Sequence, residues 1–367
     1  MSIYVPRMST PLTKCVQVAL IGCGTVSQLY YTPALQELER QRIIEVRQLF
    51  EPDPQNLATV CRAFPNANSI ANLADVNTHL AIVASPPRFH AEQSIQLLQA
   101  GINVLCEKPI ATSTDEAEAM IAAADSSNQR LAVGLFRRFL PATQMIRGLL
   151  QTQTLGEVQS FSIYEGGVFS WPVQSPAFFK KQVAGGGVLL DIGVHALDLL
   201  LWWWGEPVAL EYEDDAMGGV EANCHLKLSF AQGFTGDVRL SRDGLRSTRY
   251  HIHGKSGWLN WSTDEVENLE IGLTTGKVLK GLLHEASLRK DLPVAGRPAF
   301  NFQQSFVSQL CNVVATINGN DSLTVPGTEG LRSLRVIEQC YGQRRLMAMP
   351  WLSEVEQQRA YALGDHR

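Results

Sequence analysis

The sequence has no long apolar run. Its most hydrophobic stretch, Leu197–Trp204, is far shorter than the roughly 20 residues a bilayer-spanning helix requires, so no membrane partner is expected. It has no CxxC pair either. The seven cysteines are odd in number and scattered. Cys23, Cys106 and Cys311 sit in apolar runs, where a thiol behaves as a small hydrophobe. That usage excludes a disulfide scaffold, offers no metal site and fits a reduced, cytoplasmic protein. Residues 1–14 lack the apolar core of a secretory signal and are expected to form a tail. Charge is sparse, at 18% of residues with a formal net charge of -5, and no long basic stripe appears, so a nucleic-acid partner is not expected. The densest arginine stretch, Arg239 to Arg249, is broken by Asp243 and Gly244 and reads as a solvated strand and turn. There is no internal repeat and no low-complexity tract.

What remains is a globular chain of 367 residues, 45% hydrophobic, which is long enough for two domains. From Val16 onward, short apolar runs alternate with helical patterns. Strands are expected at Val16–Ile21, Ile44–Phe50, Thr78–Ala84, Ile102–Cys106 and Arg130–Leu135. Helices are expected at Pro33–Arg42, Gln55–Phe64, His90–Ala100 and Ser113–Ala124, with Gly101 as a C-terminal stop and Ser113 with Glu116 as a capping box. This rhythm implies a doubly wound parallel sheet with right-handed crossovers. After Phe139 it changes. Helical patterns at Pro141–Leu150 and His195–Trp204 accompany strand-like runs from Val158 to Ser262, and helices return at Phe302–Ile317 and Gly330–Arg345. An α+β half with a mostly antiparallel open sheet follows. The expected layout is a Rossmann domain over 15–138, a substrate-binding and oligomerisation domain over 139–350, and tails at 1–14 and 351–367.

The turn after the first strand reads Gly22-Cys23-Gly24-Thr25-Val26-Ser27. The first glycine permits a tight turn and the second a close backbone approach to a pyrophosphate, which would rest on the following helix N-terminus near Thr25 and Val26. Ser27 takes the place where Gly or Ala usually allows close helix–strand packing. Glu51 ends the second strand, where a carboxylate accepts hydrogen bonds from the adenine ribose hydroxyls and repels a 2′-phosphate. NAD is therefore expected over NADP.

Three further segments carry a family likeness: Ser85-Pro86-Pro87-Arg88-Phe89-His90, Glu107-Lys108-Pro109, and Gly185-Gly186-Gly187 leading through Asp191 to His195 and Asp198. Together they resemble the glucose-fructose oxidoreductase, inositol dehydrogenase and rhizopine-catabolism family (Gfo/Idh/MocA), from about Val16 to Met349. The resemblance implies hydride transfer between a nicotinamide cofactor and a sugar, sugar derivative or cyclitol. It makes Lys108, Asp191 and His195 the catalytic candidates. An alcohol oxidation needs a base for the hydroxyl proton and a cation for the developing alkoxide. His195 is assigned the acid/base role, Lys108 the substrate oxygen, and Asp191 either His195 or a neighbouring hydroxyl. Ser85, Pro86, His90, Glu107 and Lys108 join Gly22, Gly24, Thr25, Val26 and Glu51 as cofactor-side residues. The sequence departs from the family before the glycine block, where Phe169–Lys180 carries aromatics and no arginine. Trp171 and Phe179 there either wall a sugar ring or belong to the core. Trp202, Trp203 and Trp204 read as packing or subunit contact, and Asp198 as structural. Relatives pair sheet to sheet, and an open sheet with a bare apolar face needs cover, so a homodimer or homotetramer is expected. Two other functions stay open: redox-neutral glycoside cleavage with retained NAD, and a non-catalytic dinucleotide-binding regulator.

Overall fold

The computed structural model describes residues 14–173, 179–264, 266, 268–276, 278–282 and 302–364. The expected N-terminal tail, except for residue 14, lies outside this set, as does 174–178 of the aromatic segment. Contacts divide the chain into two units. One comprises Met1–Phe139 with Asn301–Leu334, the other Leu140–Phe300 with Arg335–Arg367. The sequence led to a single cut near 138/139. The contacts make the division discontinuous, because a late helix returns to the first unit.

In the first unit, six strands form a parallel sheet: β1 (Val16–Ile21), β2 (Ile44–Phe50), β3 (Asn68–Ser69), β4 (Leu80–Val83), β5 (Asn103–Cys106) and β6 (Leu131–Val133). Their order is β3-β2-β1-β4-β5-β6, the doubly wound order whose direction reverses between β1 and β4. The central strands are buried on both faces, apart from the partly exposed Gln17 of β1, as their apolar runs demand. Crossover helices are α1 (Thr32–Arg40), α2 (Pro54–Ala63), α3 (His90–Gln99) and α4 (Thr114–Ser126). Ser113 caps α4 by accepting from the Glu116 amide at 3.2 Å. The Glu116 carboxylate reaches one residue further back than a capping box requires, to the Thr112 amide and hydroxyl. Helix α8 (Phe302–Ile317) also belongs here. Its Phe306 stacks on Tyr30 and on Phe136 and meets Tyr31 edge-on.

The second unit holds α5 (Pro141–Gln151), α6 (Lys181–Ala184), α7 (Val194–Trp204) and α10 (Glu354–Gly364), which falls where a tail was expected. Helix α9 (Gly327–Gly342) crosses the boundary between the units. The unit's strands are β7 (Val158–Gly166), β8 (Pro207–Asp214), β9 (Asn223–Phe230), β10 (Thr235–Ser241), β11 (Arg249–Gly254), β12 (Gly257–Trp261), β13 (Asn268–Leu273), β14 (Val278–Leu282) and β15 (Arg345–Leu346). They form a nine-stranded sheet in the order β14-β13-β12-β11-β7-β10-β9-β8-β15. Most neighbours are antiparallel, but β7 runs parallel to β10 and β15 parallel to β8. Helix α7 covers one face. Trp204 packs among Phe161, Phe230 and Phe234, and Trp203 donates its indole N–H to the Thr143 carbonyl. Trp203 and Trp204 thus pack within this unit.

The opposite face is polar, which corrects the premise of a bare apolar surface. Along it lie Arg249, His251 and His253 of β11, Ser160 and Ser162 of β7, and Glu211 and Glu213 of β8. His225 bridges Glu213 and Asp237 across three strands, and Asn260 links Arg249 and His251 to Glu270.

Candidate active site

The cofactor side is built at the carboxyl ends of β1, β2, β4 and β5. Gly22 has φ +91°, and an added Cβ would lie 2.6 Å from the Ser85 nitrogen. Only glycine fits both the dihedral and the space. Helix begins at Thr25, widens into a π-helical turn at Ser27–Tyr31 and continues as α1. Gly24, Thr25 and Val26 stand at the helix N-terminus, the position at which first-turn amides favour a phosphate. Ser27 is fully buried and its hydroxyl donates to the Gly22 carbonyl at 2.6 Å, so it locks the turn as well as allowing close packing. Gln28 braces the loop from behind by donating to the Cys23 carbonyl.

Glu51 accepts from the Cys23 amide at 2.7 Å and from the Asp53 amide at 2.9 Å. Its carboxylate is therefore fixed beside the glycine turn with acceptor capacity to spare. A glycine cradle closed to any Cβ, a helix N-terminus and a held carboxylate together fit a dinucleotide bearing free ribose hydroxyls.

Ser85 and Pro86 follow β4, and the backbone of Ala84 and Ser85 crowds Gly22. Buried His90 ties this loop to the next one. Its Nδ1 lies 2.8 Å from the Pro109 carbonyl and its Nε2 2.8 Å from the Ser85 carbonyl. Burial lowers the His90 pKa, and the two carbonyls oppose that only in part. His90 thus acts in this structure as a strap between loops.

Glu107 is buried. It accepts from the Tyr31 hydroxyl at 2.7 Å and from the Lys108 amide at 3.0 Å. Burial raises its pKa, and burial beside Glu107 raises that of Tyr31. Gly134 leaves the room this carboxyl needs, since a Cβ there would meet Glu107 Oε1 at 2.7 Å. Glu107 therefore sets the backbone from which the half-buried Lys108 projects. Tyr31 was not singled out from the sequence, where it lies just ahead of the expected helix Pro33–Arg42.

On the second unit, the Gly185–Gly187 block opens a helix that starts with a π-helical turn at Leu189–Gly193 and continues as α7. Asp191 lies in that turn and the buried His195 in the first turn of α7. Glu221 caps this helix. Its buried carboxylate accepts from the Gly187 amide at 2.9 Å, the Leu189 amide at 3.0 Å and the Tyr341 hydroxyl at 2.9 Å. Burial raises the Glu221 pKa, while those donors hold the carboxylate. The glycines are explained by the same contacts: a Cβ at Gly187 would sit 2.1 Å from the Glu221 carbonyl oxygen, and one at Gly186 2.1 Å from the Tyr341 hydroxyl.

Asp191 Oδ2 accepts from Arg242 Nη2 at 2.6 Å. This corrects the reading of Arg239 to Arg249 as a wholly solvated stretch: Arg242 is buried and paired to a candidate site residue. No spacing signal marks it, because its partner is 51 positions away. Phe179 is 48% exposed and meets Phe169 edge-on at 5.4 Å, so it is not a core side chain. Trp171 is half-buried, and Asp198 is buried within α7. Among the described residues, no group of three or more His, Cys, Asp or Glu is placed to hold a metal.

A doubly wound sheet with this glycine turn, followed by a large mixed sheet, defines a dinucleotide-binding oxidoreductase fold. Comparison with known proteins makes it specific. The family model for the NAD-binding Rossmann fold of the Gfo/Idh/MocA oxidoreductases matches residues 16–135, and that for the family's C-terminal domain matches residues 143–260. Together these cover well over half the chain, and the chain belongs to the Gfo/Idh/MocA family. It is similar to D-glucoside 3-dehydrogenase of Escherichia coli (strain K12), 32% identical over 206 residues, a match spanning 54% of this chain and 56% of that protein. It is also similar to levoglucosan dehydrogenase of Pseudarthrobacter phenanthrenivorans, 26% identical over 299 residues, covering 71% and 77% of the two chains. A solved levoglucosan dehydrogenase structure with NADH and levoglucosan superposes with a TM-score of 0.78 at 20% identity, covering 90% of this chain and 98% of that one. At that identity the superposition speaks for the fold.

Proposed function

We propose that the chain interconverts a secondary hydroxyl and a ketone on a sugar, sugar derivative or cyclitol, with NAD as hydride carrier. The observation that carries this reading is Glu51, held by two amides beside the glycine turn, in a chain that also has Lys108, Asp191 and His195. The sugar dehydrogenase names of its relatives support the substrate class. The nicotinamide, when bound, supplies the hydride sink. In oxidation His195 takes the hydroxyl proton as the carbinol hydride leaves with its electron pair, and in reduction it returns that proton. Lys108 holds the substrate oxygen and stabilises negative charge on it. Asp191 accepts from a neighbouring hydroxyl. A panel of sugars and cyclitols assayed with NAD tests the reading through NADH absorbance. Turnover without added cofactor would instead favour redox-neutral glycoside cleavage, and cofactor binding without any turnover a regulator.

The same reading places the protein in a reducing compartment such as the cytoplasm, which its seven free cysteines support. No helix among the described residues is long and apolar enough to cross a membrane. It works on a small molecule rather than a nucleic acid, and as a homodimer or dimer of dimers. Charge on the polar sheet face supports the dimer. A two-fold axis along β10, the strand midway between β11 and β8, would set the basic β11 row of one copy against acidic β8 of the other.

A further inference from the structure

Tyr31 is fully buried in the first unit, where it closes the π-helical turn Ser27–Tyr31. The Thr32 amide donates to the Ser27 carbonyl at the end of that turn, and the Ser27 hydroxyl anchors its start on the Gly22 carbonyl. The glycine turn thus fixes Tyr31 from one side. Helix α8 fixes it from the other. Phe306 meets its ring edge-on at 5.2 Å, and buried Gln309 donates from Nε2 to the Tyr31 hydroxyl at 3.5 Å. A phenol has a single proton to give. Here it goes to Glu107 Oε1 at 2.7 Å, so toward Gln309 the hydroxyl accepts.

Glu107 has a different partner on each oxygen. Oε1 accepts from Tyr31, and Oε2 accepts from the Lys108 amide at 3.0 Å. The carboxylate is therefore a bracket between a buried phenol and the main chain that carries Lys108. The loop around it is held as well. The Glu107 amide donates to the Val83 carbonyl at 2.8 Å, His90 Nδ1 meets the Pro109 carbonyl at 2.8 Å, and the Cys106 thiol donates to the Ile110 carbonyl at 3.6 Å. Burial pushes the Glu107 carboxyl up, while the Tyr31 hydroxyl, the Lys108 charge and the Lys108 amide push it down. Without the phenol, Oε1 would lose its donor in a buried setting, which favours the neutral carboxyl.

We propose that Tyr31 is a positioning residue: by holding the Glu107 carboxylate it fixes the main chain of Lys108 in the orientation that hydride transfer needs. This rests on the sugar-oxidoreductase reading above, in which Lys108 holds the substrate oxygen. The test compares wild type, Tyr31→Phe, Glu107→Gln, their double variant and Gly134→Ala. Turnover is measured on a sugar or cyclitol that the wild type oxidises, and NADH affinity by calorimetry. Tyr31→Phe should lower kcat by about tenfold to 10²-fold, the scale of a small misplacement near a reacting centre. KM and the NADH dissociation constant should stay within about twofold, which a merely structural loss would not allow. Glu107→Gln already breaks the bracket, so adding Tyr31→Phe should cost less than about twofold more. Gly134→Ala presses a methyl group on the same carboxylate without touching Tyr31 and should lower kcat in the same way. The carboxyl carbon resonance of Glu107 in NMR, assigned by its loss in Glu107→Gln, should titrate at higher pH in Tyr31→Phe, because a donor that lowers it is gone. Full kcat in Tyr31→Phe, or in Gly134→Ala should Tyr31→Phe fail to bind NADH, would overturn the assignment of Tyr31. So would losses that multiply in the double variant, or an unmoved Glu107 titration. No turnover of any sugar or cyclitol by the wild type would instead overturn the sugar-oxidoreductase reading, and the Glu107 titration would still decide whether Tyr31 holds the carboxylate.

Discussion

Cofactor choice turns on one side chain, Glu51. Its two oxygens are tied to the Cys23 and Asp53 amides, so the carboxylate cannot swing away from a 2′-phosphate without losing both bonds. NAD should bind tighter than NADP, and Glu51→Ala should narrow the difference by about tenfold or more, read as the two dissociation constants. At the chemical end, His195→Ala should lower turnover by about 10² to 10⁴-fold. With His195 as the base, oxidation falls on the acid side as the imidazole protonates, and that limb should vanish in His195→Ala. Lys108→Ala should lower the plateau and keep the limb. If the limb persists without His195, the base role passes to Lys108. His90 gives a separate pH effect. Burial sets its folded-state pKa below the unfolded value of about 6.5, so the stability it contributes is present above that pH and is lost as pH falls through the folded value. Urea midpoints should fall as pH drops below about 6.5, and His90→Gln should flatten that fall. The sequence singles out Lys108, Asp191 and His195 as candidates because each sits in a short recognisable block. It does not single out Arg242, Glu221, Tyr31 and Tyr341, because each acts through a partner far away in sequence.

Two elements share a device. Each glycine block is followed directly by a π-helical turn, Ser27–Tyr31 in one unit and Leu189–Gly193 in the other. Such turns are rare and recur at functional sites. In the second unit the turn is held by the Glu221 cap, and this makes a prediction about glycine. Gly187→Ala would press a methyl group against the Glu221 backbone and should destabilise the protein by about 1–3 kcal/mol in thermal or urea unfolding. Gly186→Ala meets chiefly the Tyr341 hydroxyl, so Tyr341→Phe should restore part of the loss in the double variant. Full additivity of the two changes would show that this contact is not what excludes a side chain. Elements with strong apolar runs or clear stops, such as β1, β4 and α7, were readable from the sequence. The hairpin of β13 and β14 was not, because Gly272 and the Thr274–Gly276 turn leave two short strands with little periodic signal. Nor was the parallel pairing of β7 with β10, which joins residues some 75 positions apart, as in Ser160 with Thr235; local pattern carries no trace of such register.

At the scale of the whole molecule, the chain is organised by return. Helix α8 leaves the second half of the sequence to complete the first unit's core, where Phe306 fills the space between Tyr30, Tyr31 and Phe136. A domain boundary read along the sequence has no means of seeing this, since amphipathic α8 is compatible with either core. The assembly prediction also belongs here. Light scattering should give at least a dimer, and reversing Arg249 and His253 to Glu should weaken it, with partial recovery when Glu211 and Glu213 are changed to Lys; a mass that stays monomeric at all concentrations would contradict the pairing. The central claim is the redox chemistry itself, and it is tested most directly by NADH formation on a panel of neutral sugars and cyclitols, with wild type, Lys108→Ala and His195→Ala side by side. The account predicts NAD-dependent oxidation of at least one compound by the wild type and a loss of about 10²-fold or more in His195→Ala. Near-normal turnover in both variants, or no NADH from any compound, would contradict it.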